Sequence, residues 1–223
     1  TDSAVAGSYD VTITNLAKKQ VVASAGLAAT GNDPALGGTF KLYGKGFTTP
    51  KEITITGANN KEKLENLRNS INEAKAGVTA SLVETKPGEL SLILTSDRYG
   101  KDNLGNERVQ LTDLSTGPYP TDENVHIDGD AGLMSALNLV TKQPGQNAVV
   151  KVNGIDIEAS SNELVNVVPG MTINLLKEGA STTIGVAKDT DKIAAKVQKF
   201  VDAYNEVVEL IRTNTAKGAD LQG

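Results

Sequence analysis

The chain of 223 residues is long enough to bury one or two hydrophobic cores, since domains commonly contain about 100–200 residues. Hydrophobic residues make up 39% and charged residues 22%, which is typical of a folded globular chain. The formal net charge of −5 disfavours nonspecific nucleic-acid binding, which depends on Lys and Arg neutralising phosphates. The absence of cysteine excludes disulfides and Cys-based sites, and no apolar run reaches the roughly 20 residues of a membrane-spanning helix.

The first segment reads as β structure. Alternating apolar and polar residues predict a strand at residues 9–13. Asn15 is a suitable cap for a short helical turn over residues 16–20, and short strands are expected at 39–43 and 52–56. Because a strand begins so early, with no initiating Met and no signal-peptide pattern, we expect this sequence to be part of a longer protein.

A helix is predicted after the second of these short strands. Asn59 and Glu62 have the spacing of a capping box, and Gly77 is suited to end the helix. The apolar residues between them fall on one helical face: Leu64, Leu67, Ile71 and Ala74. We therefore expect this helix to pack on neighbouring strands.

A hairpin and two irregular segments follow. Strands are expected at residues 78–84 and 90–95, joined by a turn at Pro87-Gly88. Residues 97–106 are polar and are predicted to form a loop. Residues 117–132 are rich in Pro, Gly and Asp, and we place an internal domain boundary near their end.

A second β block begins after this boundary. Residues 149–152 and 155–157 flank Asn153-Gly154, the pair that best fits a type I′ turn, because both turn residues need positive φ. Three further strands are expected, at residues 165–168, 172–176 and 182–187.

The final segment is predicted to be a helix that begins at Asp189-Thr190-Asp191. Its apolar residues follow a 3-4-3-4-3 spacing, which is the a/d pattern of a coiled coil. We call these residues the apolar seam: Ala194, Val197, Val201, Tyr204, Val208 and Ile211. Spacing alone leaves two interpretations open. The seam packs on a helical partner, or the helix packs on its own β domain, with Phe200 and Val207 widening the stripe.

Catalytic and metal chemistry have little support. Residues 122–130 hold several carboxylates and the one histidine, His126, but they do not match the spacing of a calcium loop, and we expect a solvated loop there. Gly44-Lys45-Gly46 lacks the third glycine of a phosphate-binding loop and is expected to be a tight turn. Ser160 and Ser161 lack a nucleophile-elbow pattern, so hydrolysis is disfavoured.

A sugar-binding module is a further alternative, since such sites stack sugar rings on exposed aromatic side chains. The chain has no Trp. Tyr9, Tyr43 and Tyr204 are expected in the core or the seam, whereas Tyr99 and Tyr119 are expected in loops and are the candidates for this role.

Several segments together resemble a known family, the bacterial flagellar filament-capping proteins or hook-associated protein 2 family. Residues 64–72, 78–83 and 92–96 are similar to a motif that flagellins and hook-associated proteins share. The segments specific to the cap family are residues 7–13, 16–20, 152–155, 160–162, 169–172 and 200–205. Residues 113–134 match nothing in the family pattern.

The resemblance implies a mainly β (β-rich α+β) fold. It has two antiparallel β domains, one inserted in the other, with peripheral helices and a C-terminal leg-type helix. Residues 1–36 and 139–190 would form a discontinuous β domain, and 37–138 an inserted flagellin-like β/α domain. Residues 191–217 would start a coiled-coil leg helix, whose seam would pack on an amino-terminal helix of the same protein.

The resemblance also implies a mechanical function. Cap subunits form a homo-oligomeric ring at the distal tip of the flagellum, outside the cell, and promote folding and insertion of exported flagellin. No catalytic residue, cofactor, metal, nucleic acid or membrane is implied, and export needs no cleavable signal peptide. Two alternatives stand beside this reading: another hook–filament junction protein, and an extracellular adhesin that binds host glycans.

Overall fold

The computed structural model describes residues 4–187 and 190–215. The strands are β1 (Gly7–Asn15), β2 (Lys19–Ala23), β3 (Leu27–Ala28), β4 (Gly38–Tyr43), β5 (Lys51–Ile55), β6 (Val78–Lys86), β7 (Glu89–Tyr99), β8 (Val109–Leu111), β9 (Val125–Gly129), β10 (Val140–Gln143), β11 (Ala148–Val152), β12 (Ile155–Ala159), β13 (Glu163–Val165), β14 (Thr172–Asn174) and β15 (Ser181–Val186). The helices are α1 (Asn60–Ala74), α2 (Ala131–Leu137) and α3 (Thr190–Thr215), with a 3₁₀ turn at Pro34–Leu36.

The larger hydrophobic core lies in what we call the inserted unit. One sheet has the order β10-β2-β7-β3, with β6 also paired to β7, and the other has the order β5-β4-β9-β8. Side chains from both sheets meet those of α1 in one cluster, in which Phe40, Leu67, Leu92 and Ile127 are fully buried or nearly so. Most described strand pairs are antiparallel, but β8 runs parallel to β9.

The smaller core lies in what we call the framework unit. Its sheet has the order β12-β11-β1-β15, and β13 pairs with β14 beside it. The buried cluster includes Val11, Ile13, Val150 and Leu164. Strand β1 is central, since it pairs with β11 on one side and β15 on the other, so both ends of this unit's sequence meet in one sheet.

The predicted fold class is confirmed, and the short-range signals explain why. Asn153 and Gly154 adopt φ values of 49° and 84°, as a type I′ turn requires, and they join β11 to β12. Gly88 has φ 78° in the turn between β6 and β7. Gly44-Lys45-Gly46 also lies in a turn, closed by the Phe47 amide donating to the Gly44 carbonyl at 3.0 Å.

Helix α1 begins where the capping box predicts. The Asn59 side-chain oxygen accepts from the Glu62 amide at 2.9 Å, and the Glu62 carboxylate accepts from the Ala58 amide at 2.8 Å. The helix ends at Ala74, earlier than the expected stop at Gly77, because Lys75 adopts the left-handed conformation with φ 51°.

The prediction of a helical turn at residues 16–20 was wrong. Residues from Lys19 onward form β2, which pairs with β7 and β10. The Gln20 side chain is buried, where its amide nitrogen donates to the Val109 carbonyl at 3.0 Å and its oxygen accepts from the Val109 amide at 2.6 Å. These partners lie 89 positions away, and they override the local cap signal of Asn15.

Other loop predictions were also wrong in part. Strand β7 continues to Tyr99, so the loop expected at 97–106 starts later. Residues 125–129 form β9 instead of a solvated loop, because β9 pairs with β4 on one side and β8 on the other. Helix α2 follows at once and buries Leu133 and Leu137. The strand expected at 165–168 lies earlier, as β13.

The two cores divide the chain at positions that differ from the expected boundaries of 36/37 and 138/139. Val22, Leu36 and Leu139 all belong to the larger core, and β10 joins its sheet. The chain crosses between the two units near Lys18 and again near Gln146, and these two crossings pair with each other. The Lys18 amide donates to the Gln146 carbonyl at 2.8 Å, and the Gln146 amide donates to the Lys18 carbonyl at 3.1 Å. We therefore propose that the inserted unit runs from about residue 19 to 143.

Candidate functional site

Helix α3 is the candidate interaction site. It has 26 residues, with the acidic Asp191 in its first turn and the basic Arg212 in its last, which suits the helix dipole. Of the expected start, Asp189 lies outside the described residues, as do residues 216–217 of the expected leg helix. None of the described α3 side chains is buried.

All six residues of the apolar seam lie on α3, and all stay accessible. Val201 is 41% exposed and Tyr204 is 61% exposed. Val208 is half-buried, and Ala194, Val197 and Ile211 are exposed. An ordinary amphipathic helix buries such residues against its own domain. The alternative that α3 packs on its own β domain therefore has no support in the burial of the seam.

The exposed apolar face is wider than the seam. Ile193, Phe200 and Val207 repeat every seven residues and form what we call the outer row, beside the seam. Phe200 is 73% exposed and Val207 is 54% exposed. Seam and outer row together cover roughly 140° of the helix circumference, given 3.6 residues per turn. The seven-residue spacing of the outer row was visible in the sequence, but the a/d seam alone does not include it.

Outside the apolar face α3 is mainly polar, although Leu210 is 62% exposed there, and several polar side chains of the helix interact with one another. The Gln198 side-chain amide donates to the Asp202 carboxylate at 2.8 Å, and Arg212 lies 4.0 Å from Glu209. Exposed pairs of this kind stabilise a helix only slightly. What the helix offers a partner is therefore apolar area, and its chemistry is that of packing. None of the described helices combines the length and apolarity needed to cross a bilayer.

His126 is engaged in β9. Its side chain is 3% exposed, with Nδ1 2.8 Å from the Thr112 hydroxyl and Nε2 2.8 Å from the Asp122 carboxylate. Burial acts to raise the pKa of Asp122, but the hydrogen bond to His126 and that from the Asn124 amide outweigh it, and the pKa is lowered. Both ring nitrogens thus have partners other than Ser160 or Ser161.

Two other carboxylates of residues 122–130 accept hydrogen bonds from backbone amides. Asp128 accepts from the Leu114 amide at 2.9 Å, and Asp130 accepts from the Thr39 amide at 2.7 Å. Among the residues that the structure describes, no group of three His, Cys, Asp or Glu side chains is placed to hold a metal ion.

The two tyrosines considered for sugar stacking are held by separate neighbours. The Lys19 ammonium lies over the Tyr99 ring, 5.2 Å from its centroid. The Tyr119 ring packs on Tyr43 with centroids 5.4 Å apart. Tyr99 lies at the end of β7 and not in a loop.

Two family models match parts of this chain. The family model for the flagellar hook-associated protein 2 C-terminus matches residues 145–221, and the flagellin hook IN motif matches residues 39–97. A flagellar hook-associated protein 2 from Salmonella typhimurium is 31% identical over 177 residues, which are 79% of this chain and 35% of that protein. The chain belongs to the hook-associated protein 2 family.

Further relatives agree with this assignment. The B-type flagellar hook-associated protein 2 of Pseudomonas aeruginosa is 29% identical over 224 residues, covering 96% of this chain and 46% of that protein. A crystal structure of the flagellar cap protein FliD, domains D1-D2-D3, from Escherichia coli superposes with a TM-score of 0.67 at 27% identity. The superposition covers 95% of this chain and 57% of the Escherichia coli chain. The chain spans between a third and a half of the length of these two curated hook-associated relatives.

Proposed function

We propose that this chain is part of a structural flagellar cap subunit, which oligomerises at the distal filament tip and promotes folding and insertion of exported flagellin. The observation that carries the proposal is the broad apolar face of α3, exposed within a segment that the hook-associated protein 2 C-terminus model matches. The two β units supply a scaffold from which this helix projects its apolar side chains. The subunit acts by contact and needs no catalytic group or cofactor.

The apolar face also indicates how α3 is used in the full-length protein. A strict a/d seam serves one partner helix, as in a two-stranded coiled coil. The outer row of Ile193, Phe200 and Val207 adds a third apolar position per heptad, which is typical of a helix in a bundle. We infer that α3 packs in a leg formed with other helical segments of the same protein, and that this leg contacts the filament.

Complementation of a cap-deficient, non-motile strain with the full-length gene tests the proposal. The native gene should restore filaments and motility. A gene carrying both Val201→Asp and Val208→Asp should not, because two carboxylates in the apolar seam cannot be buried against a partner helix without a large desolvation cost. Filament length and swarming on soft agar are the measurements.

A matched control separates loss of packing from added charge. Ala195 and Thr213 lie on exposed positions of α3 opposite the apolar face, given 3.6 residues per turn, and Asp at both adds the same charge as the Val201→Asp, Val208→Asp change. The Ala195→Asp, Thr213→Asp variant should therefore restore motility like the native gene. Normal filaments from the Val201→Asp, Val208→Asp gene would show that the seam has no role at the tip.

Oligomerisation is tested by light scattering on full-length protein over a concentration series. The native protein should associate as concentration rises, and the Val201→Asp, Val208→Asp protein should associate less if the legs help to hold the ring together. Equal association of the native and variant proteins would show that the apolar seam takes no part in the contacts between subunits of the ring.

A further inference from the structure

A cavity of about 310 Å³ lies in the inserted unit, where the end of α1 meets β7, β8 and β9. This volume is at the lower end of the range for small-molecule sites. Four cationic side chains line it, from separate segments: Lys45, Lys75, Arg98 and Arg108. Glu123 is the one carboxylate in the lining, so positive charges exceed negative charges by three, in a chain whose net charge is −5.

Arg108 is the buried member of this lining. Its side chain donates from Nη2 to the Lys101 carbonyl at 2.6 Å and is only 7% exposed. Its Nε is buried and has no hydrogen-bond partner within the described residues. Burial, and then repulsion from Arg98, lower the pKa of Arg108. A buried charged donor without an acceptor is costly, and a bound oxyanion would supply the missing acceptor.

Glu123 shows that this wall accepts a carboxylate. Its carboxylate accepts hydrogen bonds from Lys45 Nζ and Arg98 Nη2, and its backbone carbonyl accepts one from Arg98 Nη1 at 3.4 Å. The hydrogen bonds from Lys45 and then Arg98 lower the pKa of Glu123 to about 2. Glu123 thus balances one of these cations, whereas Lys75 has no ion pair within the described chain.

We propose that this pocket binds a second carboxylate, from a small organic acid or from an acidic side chain of another polypeptide. The carboxylate lies against Arg108 Nε and the Lys75 ammonium. Because Arg guanidinium and carboxylate groups match in geometry, the bound group is oriented as well as attracted.

The test is a titration of the ¹⁵N-labelled 223-residue chain, followed by amide chemical shifts at constant ionic strength. The probes are succinate, as a free acid, and a blocked tripeptide with a central glutamate. Saturable shifts should appear at the amides of residues 75–77, 96–98 and 108. Binding of succinate alone identifies a free acid as the ligand class, and binding of the peptide as well identifies an acidic side chain. Saturation of these amides by neither probe would overturn the proposal.

Charge variants decide whether the named residues form the site. Lys75→Gln should weaken binding by about threefold, as expected for one exposed ion pair. The matched control Lys61→Gln, at the start of α1 and outside the pocket, should leave binding unchanged. Glu123→Gln should tighten binding, because it removes the one negative charge in the lining, which repels a bound carboxylate.

Arg108→Gln should abolish saturable binding, with spectral dispersion as the check on folding. If that variant does not fold, Lys75→Gln and Glu123→Gln still decide the matter, since they change affinity in opposite directions. Equal affinity of the native chain and both variants would show that the shifts report nonspecific ionic effects, and the proposal would be rejected.

Discussion

Because none of the described side chains of α3 is buried, substitutions in its apolar seam should have little effect on the stability of the β units. In the 223-residue chain, Val201→Asp with Val208→Asp should lower the free energy of unfolding of the β units by no more than about 0.5 kcal/mol per site, the usual range for exposed substitutions. Leu67→Ala is the comparator, because Leu67 is fully buried in the larger core. Loss of its side chain should lower that free energy by about 2–5 kcal/mol.

Urea unfolding followed by circular dichroism measures both effects, with the Ala195→Asp, Thr213→Asp chain as the control for added charge. The seam variant and this control should have nearly the same unfolding midpoint, well above that of Leu67→Ala. A loss above about 2 kcal/mol for the seam variant, approaching the cost of a core cavity, would mean that the seam is ordinary core packed on the β units. The inference that α3 needs a partner beyond those units would then fail.

Three further predictions concern polar contacts. Asn59→Ala should lower the free energy of unfolding by about 1 kcal/mol, because the Glu62 amide loses its cap; urea unfolding measures it, and no change would deny the cap a role. Burial opposes ionisation of Asp102, but hydrogen bonds from Asn124, Asn106 and Leu104 lower its pKa from 3.8 to about 2. Its stabilisation is therefore complete above pH 3.8 and lost as pH falls through 2, so Asp102→Asn should flatten the pH dependence of stability in that window, measured by acid titration. Asn147→Ala removes the side-chain acceptor of the Lys101 amide. Hydrogen exchange at Lys101 should become about tenfold faster, as expected for the loss of a hydrogen bond worth about 1.4 kcal/mol. Unchanged exchange would show that this contact does not hold the two units together.

The parts of the fold that sequence reasoning recovers depend on short-range chemistry. The Asn153-Gly154 turn needs only its own backbone dihedrals, and the Asn59 cap needs only Glu62. The missed strands depend on distant partners. From sequence alone Gln20 is predicted in a helical turn, but in the fold its side chain is hydrogen-bonded to Val109. His126 is likewise predicted in a solvated loop, but in the fold its strand lies between β4 and β8. Tertiary context decides strand formation more than it decides turns.

The candidate sites differ in the same way. Helical periodicity predicts which residues of α3 share a face, because that depends on one segment, and Phe200 and Val207 extend the face by the same spacing. The cationic pocket was not predictable, since Lys45, Arg98 and Arg108 lie in separate segments and only folding brings them together. None of the three belongs to a run of basic residues that would have marked the site.

The connections between the elements explain how one chain can combine an exposed helix with a large inserted unit. In sequence α3 follows β15, which pairs with β1 from Gly7 opposite Val186 to Thr12 opposite Ser181. Strand β1 leads through Lys18 into the inserted unit. The return crossing at Gln146 bonds to Lys18 in both directions, and Asn147 joins Lys101 of the inserted unit to Glu158 of the framework unit. Two crossings that brace each other restrict hinge motion more than a single linker does. The framework sheet is therefore the element through which any load on the helix reaches the inserted unit, and the β1–β15 pairing is where that load enters the fold.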